Sequence, residues 1–509
     1  MRRPLSLLAL PACLLAGALP GCGGDDESAG PLDAGLAYVP ADSPFAVVVD
    51  TDLEGDQYKA LDSILAKFPF GDRTIAELIA DQLGGTGSDV DFEEDVRPIL
   101  GNPAVLGATD IQSFLADDND DSFVAALQAD DQEALESLIE KSGAEEAGET
   151  AGATKYEDGG SVFAVDDDVV VLADSERSLD RALERADGDD RLTQDEFEGA
   201  FDENPNAALA GVYANLQDLI ASSAEGRTAA KRIPWVGALR TLGLTMKASG
   251  DGVGVDFVAR TESEGLTEED LPMAAGDESP PVLARPGELG LGLRDLSQVI
   301  RFAEAAGQSI DPSGFGDYEQ AKQTLDSRLE ISIDDDLIGQ LNGDVSASVA
   351  LGTDFAVRAE LRDPGAFEET LTKIAEVLPT FLEGAGVSGL SLEEPSGGDT
   401  FYRLTGPDGE VAAFGVADGS FVVASDAERA GEVALDDPEQ VDGARGALAT
   451  SADAQALVNG VIQQLGPTLG LSGVQGFGAQ LFTAPLEDLT GSASIDTDGL
   501  RGRMTLGVE

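Results

Sequence analysis

The stretch VFAVDDDVVVLADSERSLDRALE occupies residues 162–184, and AAFGVADGSFVVASDAERAGEVAL occupies 412–435. Each reads as a strand, a tight turn built on Asp or Asp-Gly, a second strand and then a helix. Working outward, FEEDVRPIL (92–100) resembles IDDDLIGQL (333–341), and SFVAALQADDQEALESLIE (122–140) resembles DFAVRAELRDPGAFEETLT (354–372). LGLTMKASGDGVGVDFVARTE (242–262) pairs in the same way with LTGSASIDTDGLRGRMTLGVE (489–509), with turns at Asp251-Gly252 and Asp498-Gly499. The four pairs keep one order at offsets of roughly 230–250 residues, the signature of internal duplication. Two tandem homologous domains are therefore expected, at 36–262 and 285–509, joined by an acidic, proline-bearing linker over 263–284. Hairpins with helices interspersed predict an α+β class, each domain a mainly antiparallel sheet with packed helices.

Residues 1–21 carry Arg2 and Arg3, then the apolar run PLSLLALPACLLAGAL, which is the layout of a secretory signal peptide. Leu19-Pro20-Gly21-Cys22 resembles the lipobox of bacterial lipoproteins, which implies that Cys22 becomes the acylated first residue of the mature chain. Each buried acyl methylene contributes about 0.8 kcal/mol, so two or three chains hold a protein durably to a bilayer. The polar tract 22–35 then serves as a flexible acidic tether. Cys13 lies inside the apolar run, so the mature chain has no second cysteine for a disulfide. The expected location is extracytoplasmic, lipid-anchored to the cell membrane.

Composition removes several kinds of chemistry. The chain has 97 Asp and Glu against 31 Lys and Arg, a formal charge of −66, which excludes nucleic acid as a partner. It has no histidine, so Ser–His–Asp and Cys–His catalysis and HExxH zinc sites are absent. GVQGFGAQL (473–481) lacks the third glycine of a dinucleotide fingerprint. DGDDRLTQDEF (187–197) imitates part of a calcium loop, but Arg185 falls on the first ligand position and Asp190 on the turn glycine. ADDNDD (116–121) reads as an exposed loop tip. The triads Glu93–Asp95 and Asp334–Asp336 are expected ahead of helices, where acids complement the macrodipole. No metal or other cofactor is expected.

Two asymmetries between the halves mark candidate contact regions. EGRTAAKRIPWVGALRTLGLTMK (225–247) gathers Arg227, Lys231, Arg232, Arg240 and Lys247 around Trp235, the only tryptophan. Arg232 and Trp235 are the candidate contacts for an anionic partner or for the other half of the chain, with a helix surface and a core tryptophan as the plainer reading. AQALVNGVIQQLGPTLGLSGVQGFGAQLFTAPL (454–486) carries no charge, which fits a buried segment or an apolar wall for a lipid-like ligand.

LAYVPADSPFAVVVDTDLE (36–54) and RLTQDEFEGAFDENPNAALAGVYANLQDLI (191–220) resemble the bacterial domain of unknown function 3352 family. Its members open the mature body with such a strand after a signal sequence, and place a short helix, a proline-bearing turn and a strand further on. The resemblance implies an envelope protein and brings no activity, ligand or catalytic residue with it. The expected function is a non-enzymatic binding or scaffold role in the cell envelope. Its partners are the membrane, through the N-terminal lipid, and an envelope protein or hydrophobic ligand. The alternatives are a carrier of a lipid or hydrophobic small molecule, and a carboxylate-dependent hydrolase, which needs two acids converging at about 5–10 Å.

Overall fold

The computed structural model describes residues 30–509 apart from 70, 72, 85–89, 112–121, 159–160, 284, 286, 351–353, 385–388, 397–399, 408 and 466–482. The signal peptide, Cys22, most of the tether, ADDNDD and GVQGFGAQL lie outside the described residues. Two compact units divide the chain. One runs through Arg227 and adds Leu239–Thr261, and the other takes Thr228–Ala238 and Glu262–Glu509.

The strands of the first unit are β1 (Phe45–Val49), β2 (Ala104–Ala108), β3 (Phe123–Gln128), β4 (Glu145–Thr150), β5 (Ala153–Asp158), β6 (Ser161–Asp166), β7 (Val169–Ala173), β8 (Ala210–Asn215), β9 (Leu239–Ser249) and β10 (Gly252–Thr261). Those of the second are β11 (Glu288–Arg294), β12 (Asp344–Ala350), β13 (Phe355–Glu360), β14 (Ser391–Glu393), β15 (Tyr402–Gly406), β16 (Gly409–Ala417), β17 (Ser420–Ala424), β18 (Leu448–Asp453), β19 (Leu486–Asp496) and β20 (Gly499–Val508). Every pairing within each unit's ladder is antiparallel, and with the interspersed helices this makes the protein α+β. The first ladder runs β10-β9-β8-β1-β2-β3-β7-β6-β5-β4. The second runs β20-β19-β18-β11-β12-β13-β17-β16-β15-β14, the same order position by position.

The likeness extends to single hydrogen bonds outside the ladders. Asp95 N–H donates to Asp91 O at 2.9 Å, and Asp336 N–H donates to Ser332 O at 2.7 Å. Leu209 N–H reaches Met246 O, and Ala447 N–H reaches Ala493 O, both at 2.7 Å. The turns between β6 and β7 and between β16 and β17 put Asp167 (φ 51°) and Asp418 (φ 47°) in the left-handed region, which Asp tolerates better than most residues.

Both faces of each sheet are covered, which explains the near-continuous apolar runs of the central strands. In β3, Val124 and Ala126 enter one core with Leu179 and Leu183 of the helix Glu176–Ala186. Ala125 and Leu127 enter the other with Leu135 of the helix Gln132–Ser142. In the second unit Ala356 packs with Val433 of the helix Ala427–Leu435, and Ala359 with Phe367 of the helix Pro364–Gly384. These helices start on equivalent caps: Asp131 and Asp363 accept from Ala134 N and Ala366 N, and Ser175 and Asp426 from Ser178 N and Arg429 N. Phe367 is completely buried. Phe367→Ala should destabilise the second unit by about 3–5 kcal/mol, read as a lower urea midpoint, whereas an unchanged midpoint would contradict this core.

Candidate functional site

The acidic triads do not sit ahead of regular helices. Each lies inside a wide π-type turn, Phe92–Val96 or Ile333–Leu337, followed by a short 3-10 turn. The last acid of each triad closes its turn: Asp95 accepts from Asp91 N and Asp336 from Ser332 N, both at 2.8 Å. In the first unit Lys141 Nζ donates to both oxygens of Asp95, at 2.6 and 2.8 Å, and holds that buried carboxyl below its usual range. In the second unit the cation comes from another element. Lys322, buried on the helix Pro312–Leu329, pairs with Asp334 and, at 3.1 Å, with Glu304. Burial works to lower its pKa, yet Asp334 and Glu304 hold it well above the usual value. Tyr318 donates to the same Glu304 at 2.6 Å, which pushes the phenol up to about 12.

Beside this second turn opens a polar cleft of about 670 Å³, the size of a small-metabolite site. Two arginines, Arg301 and Arg362, two amides, Gln340 and Asn342, and the Asp334–Asp336 triad line it. Arg301, on the helix Leu296–Ile310, is oriented by a relay: its Nη2 donates to Ser297 Oγ at 2.8 Å, and that fully buried hydroxyl donates to Asp295 at 2.5 Å. Gln340 is fixed at both ends, donating to Asp335 O at 3.2 Å and accepting from Asp363 N at 3.1 Å. Arg362 N–H donates to Gln340 O at 3.0 Å, the counterpart of Asp130 N–H donating to Ile99 O at 3.2 Å in the first unit. The shared bond makes Arg362 the equivalent of Asp130, and Gln340 the equivalent of Ile99. Asn342, two residues on, then corresponds to Gly101.

A second polar group lies in the first unit at the end of β1. Asp50 is buried, and desolvation pushes its carboxyl from 3.8 up to about 6 although it accepts from Asp52 N at 2.9 Å. Tyr58 is also buried, and its hydroxyl has no hydrogen-bond partner among the described residues. Burial, and then the charges of Asp50, Asp52 and Asp62, raise that phenol further. In the sequence, only the Asp-Thr-Asp run at the strand end marks this site.

The candidate contacts from the sequence do not converge. Trp235 is 6% exposed and part of the core, while Arg232 is exposed and donates to Ser309 O at 2.7 Å. Arg227 and Arg240 bond to carbonyls of Ala221 and Leu239, and Lys247 pairs with Glu203. The calcium-like stretch serves a helix start instead, with Thr193 and Glu196 forming a capping box. Among the described residues no group of three or more His, Cys, Asp or Glu is arranged to hold a metal ion. Of the uncharged segment, Ala454–Leu465 is a helix, and Thr483 donates to Asn459 at 2.8 Å. Residues 466–482 lie outside the described residues.

The family model described as "Protein of unknown function (DUF3352)" matches residues 14–380, and the chain belongs to that family. The match runs from the apolar leader into the helix Pro364–Gly384. No curated protein matches the chain. Among solved structures, crystal form III of TP0453 is 11% identical over 48% of this chain and 84% of its own, with a TM-score of 0.25. Crystal form I is 10% identical over 46% and 80% (TM-score 0.24), and form IV 12% over 44% and 80% (0.25).

Because the folded pKa of Asp50 lies above its ordinary value, the native chain keeps an extra proton between pH about 4 and 6. Its contribution to stability is therefore most favourable at low pH and is lost as pH rises through 6. Asp50→Asn should remove that slope and raise stability at pH 7.5 by up to about 3 kcal/mol. Denaturation at several pH values checks this, and parallel wild-type and variant profiles would contradict it.

Proposed function

We propose that this chain is a lipid-anchored extracytoplasmic protein with a binding or scaffold role in the cell envelope and no enzymatic reaction. The observation that carries the reading is Leu19–Cys22 at the end of an apolar leader, in a chain whose other cysteine lies inside that leader. Among the described residues no helix is long and apolar enough to cross a membrane, which leaves the lipid as the attachment in this reading. Two homologous tandem domains form the body. The shared strand order and the matched backbone bonds at Asp95 and Asp336, and at Asp130 and Arg362, support descent of both from one ancestor.

A second reading, a carrier of a hydrophobic small molecule, is favoured by one row across the second sheet. Val349, 45% exposed, lies directly between Leu289 and Phe355 on neighbouring strands. Native mass spectra of the exported chain before and after organic extraction test it: a mass lost on extraction supports a carrier, and the bare chain mass opposes it.

The main reading predicts that Cys22→Ser moves the protein from the membrane fraction to the soluble fraction. The acyl mass on the N-terminal peptide should disappear with it. A variant that stays in the membrane fraction, or a wild-type peptide without acyl mass, would overturn the proposal.

A further inference from the structure

We infer that the cleft of the second unit binds a small, hydroxyl-rich organic anion, a sugar-sized molecule carrying one carboxylate or phosphate. The inference deepens the binding role proposed above and rests on it. It starts from a reversal of charge between equivalent positions. The first unit carries Asp130, Ile99 and Gly101 where the second carries Arg362, Gln340 and Asn342, on backbone joined by the same hydrogen bond. The second unit has thus turned an acidic and apolar corner into a set of donors, in a chain where acids outnumber bases 97 to 31.

Neither guanidinium is neutralised. Among the described residues the Arg301 guanidinium bonds only to Ser297 Oγ and the side chain of Arg362 has no partner, although three aspartates line the same cleft. Those aspartates are engaged elsewhere: Asp334 with Lys322, Asp335 with Ser332 Oγ at 3.4 Å, and Asp336 with Ser332 N. Guanidiniums present planar forks that match carboxylate and phosphate oxygens, and Arg301 is pre-oriented by the buried Ser297. The remaining carboxylate lone pairs and the Asn342 amide suit sugar hydroxyls, and only Ile338 supplies an apolar wall. An anion seated on the two arginines, with its hydroxyls turned to Asp335 and Asp336, satisfies both sets.

The test is calorimetric titration of the full-length protein with glucuronate, glucose 6-phosphate and, as the neutral control, glucose. Saturable binding of one or both anions is expected, with glucose at least about tenfold weaker. The anion that binds more tightly identifies the charged group. Arg362→Asp installs the residue the first unit already accepts on this backbone, and Arg301→Gln removes the second fork; each should weaken binding by at least about tenfold. Thermal unfolding curves matching the wild type show that these variants fold. No saturable binding of either anion up to about 10 mM would overturn the inference, as would equal affinity for glucose or affinities unchanged in both folded variants. Membrane attachment through Cys22 is read separately, so failure here leaves that proposal standing.

Discussion

With 97 carboxylates and 31 basic side chains, this chain folds against its own repulsion, and its buried cations tie their own elements to acids on neighbouring ones. Lys155 on β5 bridges to Glu176 and Asp180 of the helix that covers the sheet. Lys322 ties two helices to the second acidic turn. Arg429 reaches from the helix Ala427–Leu435 to Glu288 on β11 and, at 2.8 Å, to Ser348 on β12. Arg429 and Glu288 are both buried, so removing one partner strands a charge in the core at a cost of about 3–5 kcal/mol. These bridges and the two-sided cores hold the layers together.

That pattern gives the cleft its meaning. Cations in the interior are matched to acids, whereas Arg301 and Arg362 line a cleft with acids and pair with none of them. The two units share a ladder, caps and turns, so a difference at this corner stands out against a common background. Lys141 clamps Asp95 in the first unit, while Lys373, at the corresponding position of the sequence repeat, is exposed, and Lys322 holds Asp334 instead. The second turn is thereby fixed from a different side, and its corner is lined by Arg362, Gln340 and Asn342.

Much of the fold was legible in the sequence because its signals are local. Asp-Gly at 251–252 and 498–499 marks hairpins, and Ser175 and Asp426 mark helix starts, each within a few residues of its effect. The order of the ladder was not legible, since β3 meets β7 across a helix and three intervening strands, and β1 meets β8 across most of the unit. The candidate site was nearly invisible for the same reason. Arg301, Gln340 and Arg362 are scattered over three elements, and only the folded chain brings them together. For Trp235 the plainer of the two readings describes the ring, which lies in the core; a cluster of charges along the chain says nothing about where each side chain turns. One signal was present: aligning SFVAALQADDQEALESLIE with DFAVRAELRDPGAFEETLT sets Asp130 against Arg362.

A crystal structure of the protein grown with glucuronate and with glucose 6-phosphate tests the central claim most directly, that the duplicated units diverged and the second acquired the binding cleft. The account predicts the anion between Arg301 and Arg362, with nothing at the matching corner of Asp130, Ile99 and Gly101. An empty cleft in both crystals, or equal occupancy at both corners, would contradict it.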